Sequence, residues 1–195
     1  MFAGHFGLAA IIKAKQPQVP LWALMTGTQL LDIAFVPLFL AGVETIETIG
    51  DGHGEAFIHA GYSHSLASAL LLSILAGLLS WRKWGRSSGL VIGGTVFSHW
   101  LLDLLVHRPD IPILPGNIGG LPLLGIGLWR WPVISITVEA LLVLIGVVLY
   151  FWSAVKRSES DGVSHTAGKG RALLAGSVVG LLLVLSLVTD LLGIN

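Results

Sequence analysis

Five long apolar stretches constrain this chain more than any other feature of its sequence. A helix that crosses the hydrocarbon core of a bilayer needs about 20 predominantly apolar residues. The stretches that meet this length cover residues 19–42, 62–81, 88–106, 132–152 and 172–192. Most of the chain is therefore expected to lie inside lipid, and the sequence predicts an all-α integral membrane protein with about five transmembrane helices.

The segments around these stretches complete a predicted single helical membrane domain over residues 1–195. The apolar segment 2–12 is too short to cross a bilayer and lacks the basic start and cleavage site of a signal peptide. It predicts a short re-entrant or interfacial helix. Residues 1–153 are expected to form the bundle that carries the site. A cytoplasmic tether at 154–171, flexible in its Gly- and Ser-rich part, precedes a C-terminal transmembrane helix at 172–192.

Charge and cysteine content exclude several functional classes. Eleven Lys and Arg against eleven Asp and Glu give zero net charge, and only 11% of the residues are charged while 54% are apolar. A basic surface for nucleic acid is therefore not expected, and nucleic acid is not a predicted partner. The chain has no cysteine, so thiolate ligands and thiol nucleophiles are excluded. Any metal must be bound by nitrogen and oxygen.

Basic residues concentrate in alternate loops and predict an orientation. Positive charge in short loops favours the cytoplasmic side of a membrane, whereas acidic residues concentrate in the loop that follows the first stretch. The sequence therefore predicts a cytoplasmic N-terminal basic loop and a C-terminus on the outer side. The basic residues, in three loops that fall on one side by parity, are Lys13, Lys15, Arg82, Lys83, Arg86, Lys156, Arg157, Lys169 and Arg171.

Three ionisable residues recur every four positions in the third stretch. His99, Asp103 and His107 are expected to share one helix face because residues four apart are neighbours on a helix. Ionisable groups in hydrocarbon cost at least about 2.5 to 3.5 kcal/mol each and often mark function. A His-x-x-x-Asp pair suits two ligands of one divalent ion. The same pair also suits an imidazole–carboxylate hydrogen bond that holds helices together.

Four further polar residues are expected at the depth of this His-x-x-x-Asp pair. With a rise of about 1.5 Å per residue, Asp32 and His64 fall in the outer half of the membrane. His5 reaches the same level if its helix returns toward the cytoplasmic edge, and Glu139 lies about 10 Å below the outer face. Clustered imidazoles and carboxylates suit zinc, manganese or magnesium, with room for two ions. The sequence therefore predicts a divalent metal site, which compensates the burial of these groups.

The order of these motifs resembles that of a known family. Over about the first 130 residues the chain carries Gly4-His5, Leu31-Asp32, a His-x-Gly-x-Ser-His-Ser motif at 59–65 and a Ser-His-x-x-x-Asp motif at 98–103, followed by His-Arg-Pro-Asp-Ile-Pro. This order resembles the bacterial inner-membrane family of membrane-bound metal-dependent hydrolases, which is distantly similar to the zinc-dependent phospholipase C and nuclease superfamily. The resemblance implies a helical, zinc-dependent phosphoesterase in the inner (plasma) membrane.

The resemblance also implies a ligand set, and the chain departs from the family pattern at two points. Ala34 stands where the family usually has a second acidic residue, and Glu139 lacks the histidine partner found in the phospholipase. The ligands implied by the resemblance are His5, Asp32, His59, His64, His99 and Asp103, and the helix positions add His107 and Glu139 as candidate metal ligands.

The expected reaction is hydrolysis of a phosphoester of a lipid-like or amphiphilic substrate by water that the metal activates. Asp32 is predicted to bind the metal and to orient the attacking water as a catalytic residue. Arg108 is predicted to hold a phosphate oxygen, although a cation that extends to the membrane interface is the simpler interpretation.

The segment 109–131 is rich in proline and glycine, which forbids a long helix, and it ends in Trp129-Arg130-Trp131. Tryptophans beside an arginine are typical of the headgroup level. The segment therefore predicts an outer loop that either covers the site as a lid, past which a substrate arrives from the bilayer, or anchors the next helix.

Three alternatives remain open on the sequence alone. A His-x-x-x-Asp pair in a membrane helix also suits a divalent metal transporter similar to cation diffusion facilitators, although the chain lacks their six spans. Two histidines on facing helices suit axial ligation of haem, but neighbouring carboxylates favour a harder cation. Gly176 and Gly180 form a small-x-x-x-small pair, which predicts close packing within the chain or a homodimer face.

Overall fold

The fold is that of a computed structural model, which describes residues 1–50, 54, 56–160 and 165–192. The described part of the chain contains seven α-helices, two short strands and two turns of 3₁₀-helix, Pro115–Asn117 and Leu128–Arg130. In chain order, the helices and strands are α1 (Phe2–Lys15), α2 (Leu21–Gly27), α3 (Leu30–Leu40), β1 (Thr45–Thr48), β2 (Ala56–His59), α4 (Leu66–Trp84), α5 (Arg86–Val106), α6 (Pro132–Ser160) and α7 (His165–Leu191).

Four helices, α4 to α7, are long and apolar enough to cross a membrane. The pair α2 and α3 passes the same test together but is bent by 49°, so it forms a broken fifth span or a re-entrant loop. The prediction of an all-α membrane protein with about five spans is therefore confirmed. The N-terminal segment is a helix as predicted, and it extends to Lys15.

The predicted span at 19–42 is not continuous, because it breaks at Thr28 and Gln29. Thr26, Gly27 and Thr28 all have low helix propensity, so a continuous helix is weakest at this point. A break at membrane depth is tolerated only where the freed backbone groups find other partners. The break therefore makes the Thr28 carbonyl available to a side chain, and it places Asp32 in the first turn of a new helix.

The chain divides into two compact units, and the first comprises Met1 and Thr26–Ser135. It contains α3, both strands, and a hairpin of α4 and α5 that turns at Gly85, where φ is +84°. The two helices of the hairpin approach closely at Gly89, since a Cβ there would lie 2.7 Å from the Gly77 carbonyl oxygen. The buried core of this unit consists of Leu31, Ala69, Val96, Trp100 and Ile111.

The second unit comprises Phe2–Met25 and the described residues from Ile136 onward, and it contains α1, α6 and α7. Gly7 permits the contact of α1 with α6, because a Cβ there would lie 2.7 Å from the Leu142 carbonyl oxygen. Gly176 and Gly180 of α7 face Phe151 and Val147 of α6. The small-residue pair is therefore used for helix packing within the chain, and a homodimer stays a prediction.

Two local features differ from the sequence prediction. Strands β1 and β2 form an antiparallel pair, with Thr45 opposite His59 and Thr48 opposite Ala56; four residues each give too short an alternating pattern to be recognised. The helices also extend into the predicted flexible tether, because α6 runs to Ser160 and α7 begins at His165. Extending an existing helix is much easier than starting one, so long spans continue into polar sequence. Positions 161–164 of the tether lie outside the described residues.

Candidate metal centre

Two potential metal ligands, His99 and Asp103, lie one turn apart on α5 in the first unit. Their spacing places both side chains on one face of the helix, and Nε2 of His99 lies 2.9 Å from Oδ2 of Asp103. Both side chains are buried. A single helix therefore supplies one nitrogen and one oxygen to the same point.

His64 and Asp32 reach this point from two other elements. His64 lies in the turn before α4, and its Nε2 is 3.3 Å from Nε2 of His99. Asp32 lies in the first turn of α3, and its Oδ1 is 3.3 Å from Nε2 of His64 and 3.6 Å from Nε2 of His99. Oδ2 of Asp103 is 3.6 Å from Nε2 of His64. We call these four residues the His/Asp cluster.

The imidazole of His99 is oriented by the break in the membrane span. Its Nδ1 lies 2.6 Å from the carbonyl oxygen of Thr28, between α2 and α3. A carbonyl can only accept a hydrogen bond, so Nδ1 carries a proton. In the neutral ring, Nε2 then has a lone pair that faces the other ligand atoms. The broken helix thus selects the tautomer that can bind a metal.

A buried carboxylate orients His64 through a hydroxyl group. Oε2 of Glu44 accepts a hydrogen bond from Oγ of Ser63 at 2.8 Å, and the same Oγ lies 2.8 Å from Nδ1 of His64. Oε1 of Glu44 accepts the backbone N–H groups of Tyr62 and Ser63. Because the hydroxyl proton goes to Glu44, Oγ accepts from Nδ1–H and Nε2 of His64 keeps its lone pair. Trp100 fixes the backbone by donating to the His64 carbonyl at 3.0 Å.

The donor atoms of the His/Asp cluster fit a divalent cation. Two buried imidazole lone pairs that face each other at 3.3 Å are unfavourable unless a cation or a proton compensates them. Ligand distances of about 2.0 to 2.2 Å in a tetrahedral zinc site correspond to ligand–ligand separations of about 3.3 to 3.6 Å. The five separations given above range from 2.9 to 3.6 Å. Nitrogen and oxygen donors without sulfur suit zinc or manganese.

Within the His/Asp cluster, Asp32 is the residue with a substantially exposed side chain, as far as the described residues show. The side chain of Asp32 is 39% exposed, whereas those of His64, His99 and Asp103 are at most 7% exposed. On the same helix, Val36 is half exposed and lies one turn after Asp32. The open side therefore adjoins an apolar helix face of the kind that contacts lipid.

His99, Asp103 and His107 were predicted to share one helix face, but α5 ends at Val106, so His107 lies just outside the helix. His107 has extended backbone, and its Nδ1 lies 3.0 Å from Oδ1 of Asp110 while its ring packs on Trp129. It therefore belongs to a separate buried pair. Its role as a metal ligand stays a prediction, and it is not part of the His/Asp cluster.

Arg108 is engaged by backbone in the first unit. Its guanidinium donates hydrogen bonds to the carbonyl groups of Gly54 and Ala56, and it lies over the ring of Phe57 at 5.7 Å. These contacts hold the beginning of β2. The predicted role of Arg108 in binding phosphate would require it to give up or share these hydrogen bonds.

His59 lies at the end of β2 with a side chain that is 54% exposed, and its Nε2 is 3.5 Å from Oε2 of Glu47 on β1. In the part of the chain that the structure describes, His59 joins no group of three potential ligands. It therefore pairs across the two strands and lies apart from the His/Asp cluster.

His5 and Glu139 belong to the second unit and are both buried. Oε1 of Glu139 accepts the backbone N–H of Gly4 at 2.9 Å. The first N–H groups of a helix have no acceptor within that helix, so Glu139 caps the N-terminus of α1 beside His5. Metal binding by His5 and Glu139 stays a prediction.

The predicted outer loop, 109–131, is fixed by backbone contacts in the first unit. The carbonyl groups of Pro112 and Ile113 accept hydrogen bonds from the first amides of α4, and Gly116 N donates to Gly61 O at 2.8 Å. The loop is thus attached to the turn that carries His64. These contacts favour anchoring over opening as its structural role.

The supporting residues Glu44, Ser63 and Thr28 were not recognised from the sequence as partners of the histidines. Ser63 immediately precedes His64, which is a usable local signal. Glu44 and Thr28 carry no such signal, because they lie 20 and 71 positions from the histidines that they orient. Only the folded arrangement shows their roles.

Gln29, at the N-cap of α3, is a further buried polar residue of the first unit. Its side chain is only 7% exposed, and neither Nε2 nor Oε1 has a hydrogen-bond partner among the residues that the structure describes. It precedes Asp32 by three positions in the sequence. A buried carboxamide without hydrogen-bond partners is costly for the folded state.

Replacing Gln29 with leucine is expected to raise the melting temperature of the detergent-purified protein. The substitution keeps a similar volume and removes buried polar atoms whose desolvation costs about 1 to 3 kcal/mol. Gln18→Leu, at an exposed position, is the control and should leave the melting temperature unchanged. A lower melting temperature for Gln29→Leu would show that the carboxamide stabilises the fold.

The fold and the cluster together define a multi-span helical membrane protein with a buried set of His and Asp ligands. A family model described as YdjM inner membrane protein matches residues 2–191. The chain therefore belongs to the YdjM inner membrane protein family, and it is a bacterial inner-membrane protein, as the sequence predicted. Neither the curated proteins nor the solved structures include a match to the chain.

Proposed function

We propose that the chain is a membrane-embedded, metal-dependent hydrolase that cleaves a phosphoester of a lipid-like substrate. The observation that carries the proposal is the convergence of four ligand atoms from Asp32, His64, His99 and Asp103. Hydrogen bonds to the other nitrogen of each histidine support it, since such partners fix the ring of a metal-binding histidine. The motif order that resembles metal-dependent hydrolases supports it independently.

The four cluster residues would hold the cation, with zinc expected first and manganese or magnesium as alternatives. A divalent cation held by these residues would supply Lewis acidity, which would activate water and offset the charge on a phosphoester oxygen. Asp32, at the open side, accepts a proton from the attacking water. Arg108 would bind a phosphoryl oxygen only by giving up or sharing the hydrogen bonds that it donates to two carbonyl groups.

The exposed side of the cluster supports a substrate that arrives from the bilayer. Asp32 opens next to half-exposed Ile33 and Val36, both of which are lipid-compatible. An amphiphile could therefore keep its chain in the hydrocarbon while its phosphoester reaches the cluster. The orientation predicted from the basic loops, with these loops in the cytoplasm, corresponds to this side lying in the outer half of the membrane.

The test is the metal content and phosphoesterase activity of the detergent-purified protein. We expect about one zinc or other divalent ion per chain. We also expect cleavage of bis(p-nitrophenyl) phosphate or p-nitrophenyl phosphate that a chelator abolishes and added zinc restores.

The same preparation distinguishes the alternatives. Protein that retains no divalent ion under any purification condition would overturn the proposal. Bound metal with no cleavage of phosphodiester, phosphomonoester or carboxylester substrates, together with metal flux in proteoliposomes, would favour a divalent metal transporter.

A further inference from the structure

A groove of about 270 Å³ lies in the second unit between the ends of α1 and α6. Its α1 side consists of Ala14 and Lys15, and its α6 side includes Trp152, Lys156 and Arg157. Ser153, also in the lining, joins the two helices by donating a hydrogen bond from its Oγ to the Ala14 carbonyl at 3.0 Å. We call this feature the basic groove.

The described lining of the basic groove carries three cationic side chains, Lys15, Lys156 and Arg157. Lys15 and Lys156 are exposed, and Nζ of Lys156 lies 5.0 Å above the Trp152 ring. Arg157 donates a hydrogen bond to Ser153. Among the described residues that line the groove, none is a carboxylate. Three cations around one concave surface therefore attract an anion.

The neighbouring Lys13 adds to this field from a fixed position. Its Nζ donates hydrogen bonds to the carbonyl groups of Pro17 and Val19 at 2.6 and 2.8 Å. Burial and the positive charge of Arg157 lower the pKa of Lys13. The lysine is thus held near the positive charge of Arg157, a situation that a bound anion would relieve.

The groove lies at the end of a predicted transmembrane span, where lipid headgroups are found. Helix α6 is apolar enough to cross the membrane from Pro132 to Glu159, and tryptophan near a span end is typical of the headgroup level. Leu149 gives the groove an apolar wall on the side of the hydrocarbon. A phospholipid matches both the cations and this wall, whereas free phosphate matches only the cations.

We propose that the basic groove binds the phosphate of an anionic phospholipid, such as phosphatidylglycerol, with its acyl chain along Leu149 and Trp152. Clusters of lysine and arginine at a membrane face bind anionic lipids in this way, with roughly a fivefold gain in affinity for each cation. This site is separate from the proposed hydrolase function, since it uses residues of α1 and α6 outside the His/Asp cluster.

The test uses brominated lipids, which quench nearby tryptophan fluorescence. The protein is reconstituted into phosphatidylcholine vesicles with increasing phosphatidylglycerol, and the bromine is placed on one lipid at a time. The signal of Trp152 is the difference between the wild-type protein and Trp152→Phe. We expect brominated phosphatidylglycerol to quench Trp152 at several-fold lower mole fraction than brominated phosphatidylcholine does.

The double variant Lys15→Gln/Lys156→Gln should lose this preference, by roughly fivefold for each charge removed. Both lysines are exposed, and retained helical circular dichroism will show that the fold is intact. Lys83→Gln/Arg86→Gln removes the same charge at the turn between α4 and α5, and it should leave the preference unchanged.

Three results would overturn the proposal. The first is equal quenching of Trp152 by the two lipids. The second is a preference for phosphatidylglycerol that survives in Lys15→Gln/Lys156→Gln. The third is full relief of quenching by inorganic phosphate, which would show that the groove binds a free anion.

Discussion

Replacing Asp103 with asparagine is expected to abolish both metal binding and phosphoester hydrolysis. The carboxylate lies 2.9 Å from Nε2 of His99 and 3.6 Å from Nε2 of His64, so it is central to the His/Asp cluster. Asparagine keeps the shape of the side chain but removes the negative charge that compensates a buried cation. Loss of several kcal/mol of transition-state stabilisation corresponds to a rate decrease of about a thousandfold or more.

The measurement is metal content by mass spectrometry together with the hydrolysis rate of the purified variant. Glu159→Gln removes one carboxylate charge at an exposed position of α6 and should retain both metal and activity. Metal should also raise the melting temperature of the wild-type protein, because it binds the folded state, and the Asp103→Asn variant should lose this effect. Asp103→Asn protein with wild-type metal content would show that the cation lies elsewhere.

Replacing Glu44 with glutamine is expected to weaken metal binding by about 10- to 100-fold, although Glu44 is not a proposed ligand. The glutamine N–H₂ group would donate to Oγ of Ser63, where the carboxylate now accepts. The Ser63 hydroxyl would then donate to Nδ1 of His64, which moves the ring proton to Nε2. A protonated Nε2 cannot bind a cation, so the substitution acts by changing the tautomer.

Two further variants separate this mechanism from a general loss of structure. Ser63→Ala removes the relay without imposing the wrong tautomer, so its metal affinity should fall less than that of Glu44→Gln. Glu47→Gln, on the exposed strand β1, makes the same chemical change and should leave affinity unchanged. Competition with a chelator of known affinity gives the dissociation constants. The mechanism fails if Ser63→Ala loses more affinity than Glu44→Gln.

The broken span connects the fold to the chemistry of the proposed site. A continuous helix over 19–42 would use the Thr28 carbonyl for its own hydrogen bonds, and His99 would lose the acceptor of its Nδ1 proton. The low helix propensity of Thr26 to Thr28 is thus part of the site. A short segment of low helix propensity within an apolar stretch thus provides the carbonyl group that orients the buried His99.

The pattern of apolar stretches predicted the membrane class and the positions of the spans closely. Helices α4 and α5 were expected at 62–81 and 88–106 and are found at Leu66–Trp84 and Arg86–Val106. Hydropathy predicts such helices well because every backbone group in lipid must be hydrogen-bonded within its own segment. The same pattern did not reveal that α5 ends at Val106. It therefore could not show that His107 lies outside the helix that carries His99 and Asp103.

Helical spacing also predicted that His99 and Asp103 act together, since the distance between them depends only on local geometry. The addition of Asp32 and His64 followed from their estimated depth, and the structure brings all four together. Depth is one coordinate of three, however. The estimated depth of Glu139 did not indicate that its carboxylate caps the N-terminus of α1 in the second unit.

The sequence by itself determined that this chain is a helical membrane protein and that any metal ligands must be imidazoles and carboxylates, because residue type and periodicity act locally. The tertiary structure alone decided which donors meet, which nitrogen of each histidine faces the cluster, and that Glu44 and Thr28 set those choices. The physical reason is that a hydrogen-bond partner is selected by proximity in space. Thr28 and His99 are 71 positions apart, so the order of residues does not indicate that they lie close together.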